Sequence, residues 1–423
     1  MKHDRFTKWL ALAAILAVAL PAAAQVSTGT IDVVTLDQEG AALPGVTVQV
    51  RNTDTVLQRI AVSGASGICS FDALPPGPYA VGAVLEGFAP IADQPLVIRV
   101  GQTARVEFRM QVQLSETITV TAEAPLVDVL KTDSSTNVTP EQIQNLPVPD
   151  RNFENLAFIT PTVERERGGY RFIQNSPVVG AGGNASQTTI MVDGVDLTDP
   201  TAGLARARFS QDAVQEFRVI ASRFDTEIGG SQGGALSVVT KSGSNDVHGS
   251  VFGFLRDASL RQTGELEEEN DDYSRYQLGF TFGGPITRDK THYFVSLEYI
   301  DVTDIAPFRP SGGFADLATN YDYPTEQLLG LVSFNHQFND SSSGFLKGAY
   351  ERFRQDNFRV GGTGGSVPQA DISNGQQLTR DNWNITLGHT MIFGNGNTLN
   401  EARLQFGGRE YTEPPNSGDL EEW

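Results

Sequence analysis

The side chains that could carry chemistry are few and scattered along this chain of 423 residues. The sequence has no His-Glu-x-x-His pair for zinc, no Gly-x-Ser-x-Gly elbow for a nucleophilic serine and no glycine-rich phosphate loop. The histidines are dispersed, and all except the first fall in predicted strands, where we expect structural roles: His3, His248, His292, His336 and His389. We therefore expect no catalytic residues, no metal site, no cofactor and no enzymatic activity.

One acidic run is a candidate cation site. Residues Glu265–Asp272, with the sequence ELEEENDD, cluster the carboxylates that calcium prefers. The run lacks the fixed spacing of a calcium-binding loop, so the pattern favours a solvated charge run.

A second kind of chemistry is main-chain binding, and the segment ETITVTA (Glu116–Ala122) is the candidate for it. Its threonine and β-branched residues predict a strand, Pro125 ends the run, and no neighbouring segment is placed to pair with it. The unpaired backbone N–H and C=O groups of such a strand can add to the sheet edge of another protein. The alternative is an ordinary linker strand.

Composition narrows the class of protein. The net charge of −20 argues against a nucleic-acid partner, because such proteins present a basic surface. The length predicts two to four domains, and the 43 glycines and 21 prolines among short β-like runs favour a mainly β fold. The single cysteine, Cys69, excludes an intrachain disulfide, and we expect it to fill a core.

The N-terminus has the features of a cleaved export signal. Basic residues precede an apolar run from Trp9 to Leu20, and small residues follow it, so residues 1–24 form a predicted signal peptide cut after Ala24. The apolar run is too short to span a bilayer. The rest of the sequence has no apolar stretch long enough for a transmembrane helix, so a membrane location requires a β-barrel.

The middle of the chain divides into three predicted units. Residues 25–113 read as a β-sandwich of short strands between glycine and proline turns. The predicted strands are residues 29–36, 45–52, 58–63, 78–85, 96–100 and 103–110. Residues 114–139 form a linker that carries ETITVTA. Residues 140–244 form a mixed α and β unit, with a short helix capped by Thr139 and a hairpin turn at Asp193-Gly194.

Residues 245–423 alternate apolar and polar side chains over about seven predicted strands. The connections between these strands alternate between long and short, as in outer-membrane barrels, and Tyr293 and Tyr299 mark two aromatic girdles. We predict the first strands of a transmembrane barrel, with a soluble β-domain as the alternative. Because plugged barrels use about 22 strands, we expect the chain to be the N-terminal part of a longer protein or a truncated gene product.

Several motifs resemble known families. Leu74–Tyr79 (LPPGPY) and Glu86–Phe88 are similar to the carboxypeptidase regulatory-like domain, which has a transthyretin-like fold and implies no peptidase activity. The order of units resembles the TonB-dependent outer-membrane receptors. Thr189–Asp196 is similar to the plug hairpin of that family, and its last plug strands are similar to Ala213–Val219 and Gly229–Gly243. The first barrel strand and first periplasmic turn of the Oar-like members resemble His248–Arg256 and Gly283–Lys290.

The resemblance implies functional roles. Segment 116–122 is similar to a TonB box, which would bind TonB and its inner-membrane energising complex through Glu116, Thr117, Ile118, Thr119, Val120, Thr121 and Ala122. Asp193, Gly194 and Asp196 would form a hairpin in the plug that closes the barrel. The implied location is the outer membrane, in contact with its lipid. The extracellular substrate stays unknown, since the family spans iron chelates, cobalamin, glycans and peptides. The alternative is an exported carbohydrate- or peptide-binding or adhesion protein without transport.

Overall fold

The computed structural model describes residues 27–55, 57–112, 134–166, 176–180, 185–199, 205–206, 208–222, 228, 230–260, 273–308, 310, 316–358, 375–393 and 398–415. These residues form a β-sandwich, a smaller mixed unit and one large antiparallel sheet. The predicted mainly β fold is confirmed. The predicted linker segment 116–122 and the acidic run 265–272 lie outside the described residues.

The first unit, here called the sandwich, packs a four-stranded sheet of order β3-β2-β5-β6 on a three-stranded sheet of order β4-β1-β7. One apolar face of each sheet supplies the shared core, which includes Val48, Phe71 and Phe108. Its strands are β1 (Gly29–Leu36), β2 (Thr47–Asn52), β3 (Gln58–Val62), β4 (Ile68–Leu74), β5 (Gly77–Val84), β6 (Ile91–Ile98) and β7 (Thr103–Arg109).

Strand β4 was absent from the sequence prediction, because its polar Ser70 and Asp72 lie between two strong turn signals. Its alternate residues nevertheless face the core, and Cys69 is one of them. Burial raises the pKa of the Cys69 thiol to about 11. A thiol that stays protonated is a poor nucleophile, so Cys69 fills the core as expected.

The second unit, the middle unit, is built on a five-stranded sheet of order β12-β11-β14-β13-β8. Its strands are β8 (Ser134–Val138), β9 (Val163–Arg165), β10 (Pro177–Val179), β11 (Thr188–Val192), β12 (Val195–Asp196), β13 (Val214–Ser222) and β14 (Gly234–Thr240). Strand β8 corrects the sequence prediction, which assigned residues 114–139 wholly to a linker. Its polar residues pair with β13 at the sheet edge, where only one partner strand is needed and no apolar pattern is required.

The predicted helix forms as α1 (Pro140–Asn145). The Gln142 N–H donates to Thr139 Oγ1 at 3.4 Å, and the Thr139 N–H donates to Gln142 Oε1 at 3.0 Å, which completes a capping box. Among the described residues, no helix is long and apolar enough to cross a membrane.

The third unit, the wall, is a seven-stranded antiparallel sheet in chain order. Its strands are β15 (His248–Asp257), β16 (Ser274–Thr287), β17 (Thr291–Phe308), β18 (Thr319–Asn339), β19 (Ser342–Phe358), β20 (Gln376–Phe393) and β21 (Thr398–Thr412). Several strands are longer than predicted: within one of the predicted long connections, residues 303–325, Thr303 pairs with Pro324 and Phe308 with Thr319. These extensions contain Pro307 and Pro324, and a proline within a run argues against a strand, so the sequence does not reveal them.

The sandwich docks on the edge of the middle unit through the turn at residues 99–102. The Val100 N–H donates to Glu216 Oε1, and Val100 O accepts from Asn137 Nδ2 at 3.1 Å. Arg218 Nη1 donates to Gly101 O at 3.0 Å. Gly101 has φ of 61°, and a Cβ there would collide with the Arg218 side chain, so glycine is required at this contact.

Glu216 lies at the centre of this contact, with its side chain 3% exposed and 3.7 Å from Arg99. Burial raises the pKa of Glu216 from 4.5 to about 7, although the Val100 N–H and Arg99 act to lower it. The folded protein therefore holds this proton more tightly than the unfolded chain does. The stabilisation is present below about pH 4.5 and is lost as the pH rises through about 7.

We predict that the free energy of unfolding falls by up to about 3 kcal/mol between about pH 5 and about pH 8, at 1.36 kcal/mol per unit of pKa. The variant Glu216→Gln should abolish this pH-dependent component. The amide oxygen of glutamine still accepts the Val100 N–H but does not titrate. The measurement is the apparent melting temperature of the protein in detergent at the two pH values. Glu107→Gln, at an exposed carboxylate of the sandwich, is the matched control. An unchanged pH dependence in Glu216→Gln would contradict this assignment.

Candidate functional site

One face of the wall is apolar and points away from the middle unit. Neighbouring strands align its side chains in rows: Tyr293, Phe334, Leu346, Leu387 and Leu404 form one row, and Val295, Val332, Gly348, Ile385 and Phe406 form the next. Large members of these rows are exposed, with Leu404 60% and Phe406 57% accessible. This outward face exposes a contiguous apolar band, which is unfavourable in water and favourable in lipid.

The opposite, inward face of the wall is polar but buried. Alternate residues of the same strands lie against the middle unit, among them Ser296, Glu298, Ser333, Lys347, Glu351, Asn382 and Thr386. Three apolar wall residues, Phe294, Leu331 and Ala349, join the core of the middle unit. The wall therefore reverses the polarity of a water-soluble sheet, with its apolar side chains exposed and its polar ones enclosed.

The hairpin between β11 and β12 reaches this inward face. Asp193 and Gly194 form its two-residue turn with φ of 51° and 80°, the positive values of a type I′ turn, which aspartate followed by glycine readily adopts. Asp196 lies in β12, where its carboxylate accepts the Thr198 N–H at 2.8 Å. The turn thereby directs the Asp193 carboxylate towards the wall.

Asp193 makes a buried ion pair with the wall. Lys347 Nζ donates to Asp193 Oδ1 at 2.7 Å, and the two side chains are 9% and 8% exposed. Thr240 completes the site, because its N–H and hydroxyl donate to the same carboxylate at 3.0 and 2.7 Å. A buried pair of charges is tolerated when such hydrogen bonds replace the lost water. We call the three residues the Asp193–Lys347–Thr240 latch.

A second set of contacts surrounds Glu351, which is 1% exposed. Its carboxylate accepts from Gln327 at 2.8 Å, from Asn382 at 2.8 Å and from Arg380 at 3.3 Å, all on the wall. The backbone N–H of Arg208, in the middle unit, donates to it at 3.2 Å. Further along the wall, Arg409 pairs with Asp199 of the middle unit.

The other side of the middle unit is held by arginines at β15 and β16. Arg275 Nη2 donates to Asp150 O at 2.9 Å, and the guanidinium groups of Arg256 and Arg275 each lie 3.5 Å from the Asp150 carboxylate. Arg151 lies 4.3 Å from the ring centre of Phe254. Ion pairs therefore tie both flanks of the middle unit to the wall.

The predicted residues divide into two groups. Asp193, Gly194 and Asp196 lie at the hairpin as described, whereas the segment 116–122 is outside the described residues. His248, His292, His336 and His389 fall in strands as predicted. The sequence analysis missed Lys347 and Glu351. The signal that could have found them is a charged residue at one of the polar positions of a strand that alternates polar and apolar residues.

No group of three or more histidine, cysteine or acidic side chains in the described part of the chain is arranged to hold a metal ion.

Two family descriptions match the chain. The family described as "Carboxypeptidase regulatory-like domain" matches residues 30–111, and "Outer membrane beta barrel domain" matches residues 239–309. A curated relative, the TonB-dependent transporter Oar of Myxococcus xanthus, is 30% identical over 270 residues. That alignment covers 59% of this chain and 25% of the relative, so the chain spans about a quarter of the relative's length.

Among solved structures, an alignment with a TM-score above 0.5 supports the fold. The outer membrane transporter YddB from Escherichia coli aligns with a TM-score of 0.51 at 15% identity, over 66% of this chain and 39% of that chain. A ferric enterobactin receptor mutant from Pseudomonas aeruginosa aligns with a TM-score of 0.47 at 16% identity, over 64% of this chain and 40% of that chain. The matched domains and the Oar alignment show that this chain is similar to a TonB-dependent transporter over 59% of its length, and that it carries a carboxypeptidase regulatory-like domain on its N-terminal side.

Proposed function

We propose that this protein is an outer-membrane receptor that binds an extracellular substrate and imports it with force transmitted by TonB. The observation that carries the proposal is the wall of reversed polarity, whose inward face holds a separately folded unit by buried ion pairs. In this proposal the wall, residues 245–423, is part of a barrel, and the middle unit, residues 140–244, is the plug. Export uses a signal peptide, residues 1–24, cleaved after Ala24.

The position of β8 supports a mechanical role for the linker, residues 114–139. Strand β8 begins at Ser134, soon after the predicted TonB box, and it is the edge strand of the plug sheet. TonB would pair with Glu116–Ala122 by adding this strand to its own sheet. Tension on the linker would then reach β8 first, beginning where Ser134 pairs with Ser222.

A continuous set of contacts leads from β8 to the latch. Strand β8 pairs with β13, and β13 pairs with β14, which ends at Thr240. The Thr240 hydroxyl donates a hydrogen bond to Asp193 and accepts one from Lys347. Peeling β8 from β13 also breaks the contact between Asn137 and Val100, which would loosen the sandwich, residues 25–113, while Glu216 and Arg218 on β13 keep their contacts with it. In this mechanism the plug loosens from the wall on the side of β19.

The proposed function involves no catalysis. The curated relative named above is a transporter, and the sequence has no catalytic motif. The described residues do not select among iron chelates, cobalamin, glycans and peptides, so the substrate stays open. Energy for import would come from the inner-membrane complex that drives TonB.

We predict that a peptide of residues 114–124 binds the C-terminal domain of TonB, and that Ile118→Pro weakens binding at least about tenfold. Proline removes a backbone N–H that the added strand needs, and a tenfold change corresponds to about 1.4 kcal/mol. Calorimetry or fluorescence anisotropy measures the affinity. Ile118→Val keeps the N–H and the β-branched shape, so it should bind like the native peptide. Absence of binding by the native peptide, or equal binding by the proline variant, would refute the TonB-box assignment.

We also predict that Lys347→Met destabilises the plug by about 3–5 kcal/mol, because the buried Asp193 carboxylate loses its partner. The double variant Asp193→Asn with Lys347→Met should recover a large part of this loss. Asparagine tolerates the positive φ of the turn and carries no charge. The measurement is the midpoint of thermal unfolding of the protein in detergent.

Lys290→Met, at an exposed lysine of a wall turn, is the matched control for this pair. If the double variant is no more stable than Lys347→Met, the ion pair is not what holds the hairpin to the wall.

A further inference from the structure

A groove of about 400 Å³ opens on the outward face of the wall, towards the end that carries the short turns. Its lining is mainly apolar and includes Phe334, Leu346, Leu387 and Leu404. The groove exists because small residues, Gly344 and Ala402, lie between these bulky neighbours. Its volume lies within the range of about 300–1,000 Å³ that is usual for small-molecule sites.

The groove ends at a polar row. Thr291, His336, Gly344, His389 and Ala402 are aligned across five strands, one row nearer the turns than the apolar row of Tyr293 and Leu404. Thr291 Oγ1 lies 2.8 Å from His336 Nδ1, and Ser342 Oγ lies 3.0 Å from His389 Nε2. Each imidazole is thus oriented through one of its two ring nitrogens.

An aromatic ring lies between these two histidines. The Phe338 ring centre is 4.7 Å from that of His336 and 6.0 Å from that of His389, with both imidazoles approaching edge to face. Phe338 is 57% exposed on the outward face. A cluster of aromatic and imidazole rings at the end of an apolar band is the arrangement expected at a membrane–water interface.

We propose that this groove binds a glycerophospholipid of the leaflet on the side of the short turns. One acyl chain lies in the apolar groove, and the phosphate accepts hydrogen bonds from His336 and His389. The inference rests on the proposed membrane location, because it requires lipid at the outward face. It adds a specific site, which membrane insertion alone does not supply.

Charged side chains of both signs lie in the turns next to the groove. The adjoining turn carries exposed Arg288 and Lys290, and the Lys290 carbonyl accepts the Gln337 N–H at 2.7 Å, which brings this turn beside His336. Asp289 lies between the two cations in sequence, and its Oδ1 accepts a hydrogen bond from Asn245 Nδ2 at 2.8 Å. Asp340, in the next turn, adds a negative charge that counteracts the attraction of these cations for an anion. We therefore expect the imidazoles to contribute most of the selectivity for phosphate.

The experiment is native mass spectrometry of the full chain, reconstituted in bilayers containing phosphatidylglycerol and released in detergent. We expect one phosphatidylglycerol to be retained. Ala402→Phe fills the groove and should lower the retained fraction at least about tenfold. Val251→Phe adds the same ring at an outward position that is 81% exposed and outside the groove, so it should retain the lipid.

A second arm tests the headgroup. The combined variant His336→Leu with His389→Leu should lose the preference for phosphatidylglycerol over diacylglycerol while both lipids still enter the groove. Equal phosphatidylglycerol retention by Ala402→Phe and Val251→Phe would overturn the site, as would a dimer that occupies the groove in place of lipid. Failure of the native protein to insert into the bilayer would instead overturn the proposed membrane function on which the site depends.

Discussion

Each charge on the inward face of the wall requires a partner, because an ion removed from water without compensation costs several kcal/mol. The middle unit supplies several of these partners, and the wall itself supplies others, such as Arg380 for Glu351. Asp193 forms an ion pair with Lys347, and Asp199 forms one with Arg409. The Arg208 N–H donates a hydrogen bond to Glu351. The position of the middle unit against the wall is therefore determined by charge pairing as much as by the apolar contacts of Phe294 and Leu331. The same pairing limits how the unit can move, since each displacement exposes a charge that must be solvated.

The edge of the five-stranded sheet links this packing to the N-terminal part of the chain. Strand β13 carries Glu216 and Arg218, which contact the sandwich, and it pairs with β8, which follows the linker. The sandwich and the middle unit therefore meet at the sheet edge that β13 and β8 form. An edge strand with a single partner is the part of a sheet that separates most easily. The arrangement couples release of the sandwich to disturbance of the middle unit, and Glu216 makes the contact sensitive to pH.

The sequence predicted those parts of the fold that have a periodic signal. Alternation along Tyr293–Tyr299 revealed the wall, and Thr139 with Pro140 revealed the start of α1. Strand β8 was missed because its polar residues need only one hydrogen-bonded neighbour, and β4 was missed between turn signals. The long extensions of β17 and β18 contain Pro307 and Pro324, which argue against a strand when the sequence is read alone.

The long-range contacts of the site could not be predicted from the sequence. Asp193-Gly194 predicted a turn from local conformation alone. Its ion pair with Lys347 joins residues that are 154 positions apart, and such a contact depends on the register of the whole wall. The groove beside Gly344 has the same origin, since its row exists only after five strands are aligned.

The central claim is that one face of the wall meets lipid while the other encloses the middle unit. Spin labels placed one at a time at Asn384, Ile385, Thr386 and Leu387, in a Cys69→Ala background reconstituted in bilayers, test it directly. Power saturation measures the access of oxygen, which dissolves in lipid, and of a water-soluble nickel reagent. The account predicts high oxygen access at Ile385 and Leu387 and low access to both reagents at Asn384 and Thr386. Equal access at all four positions, or strong nickel access at Ile385 and Leu387, would contradict it.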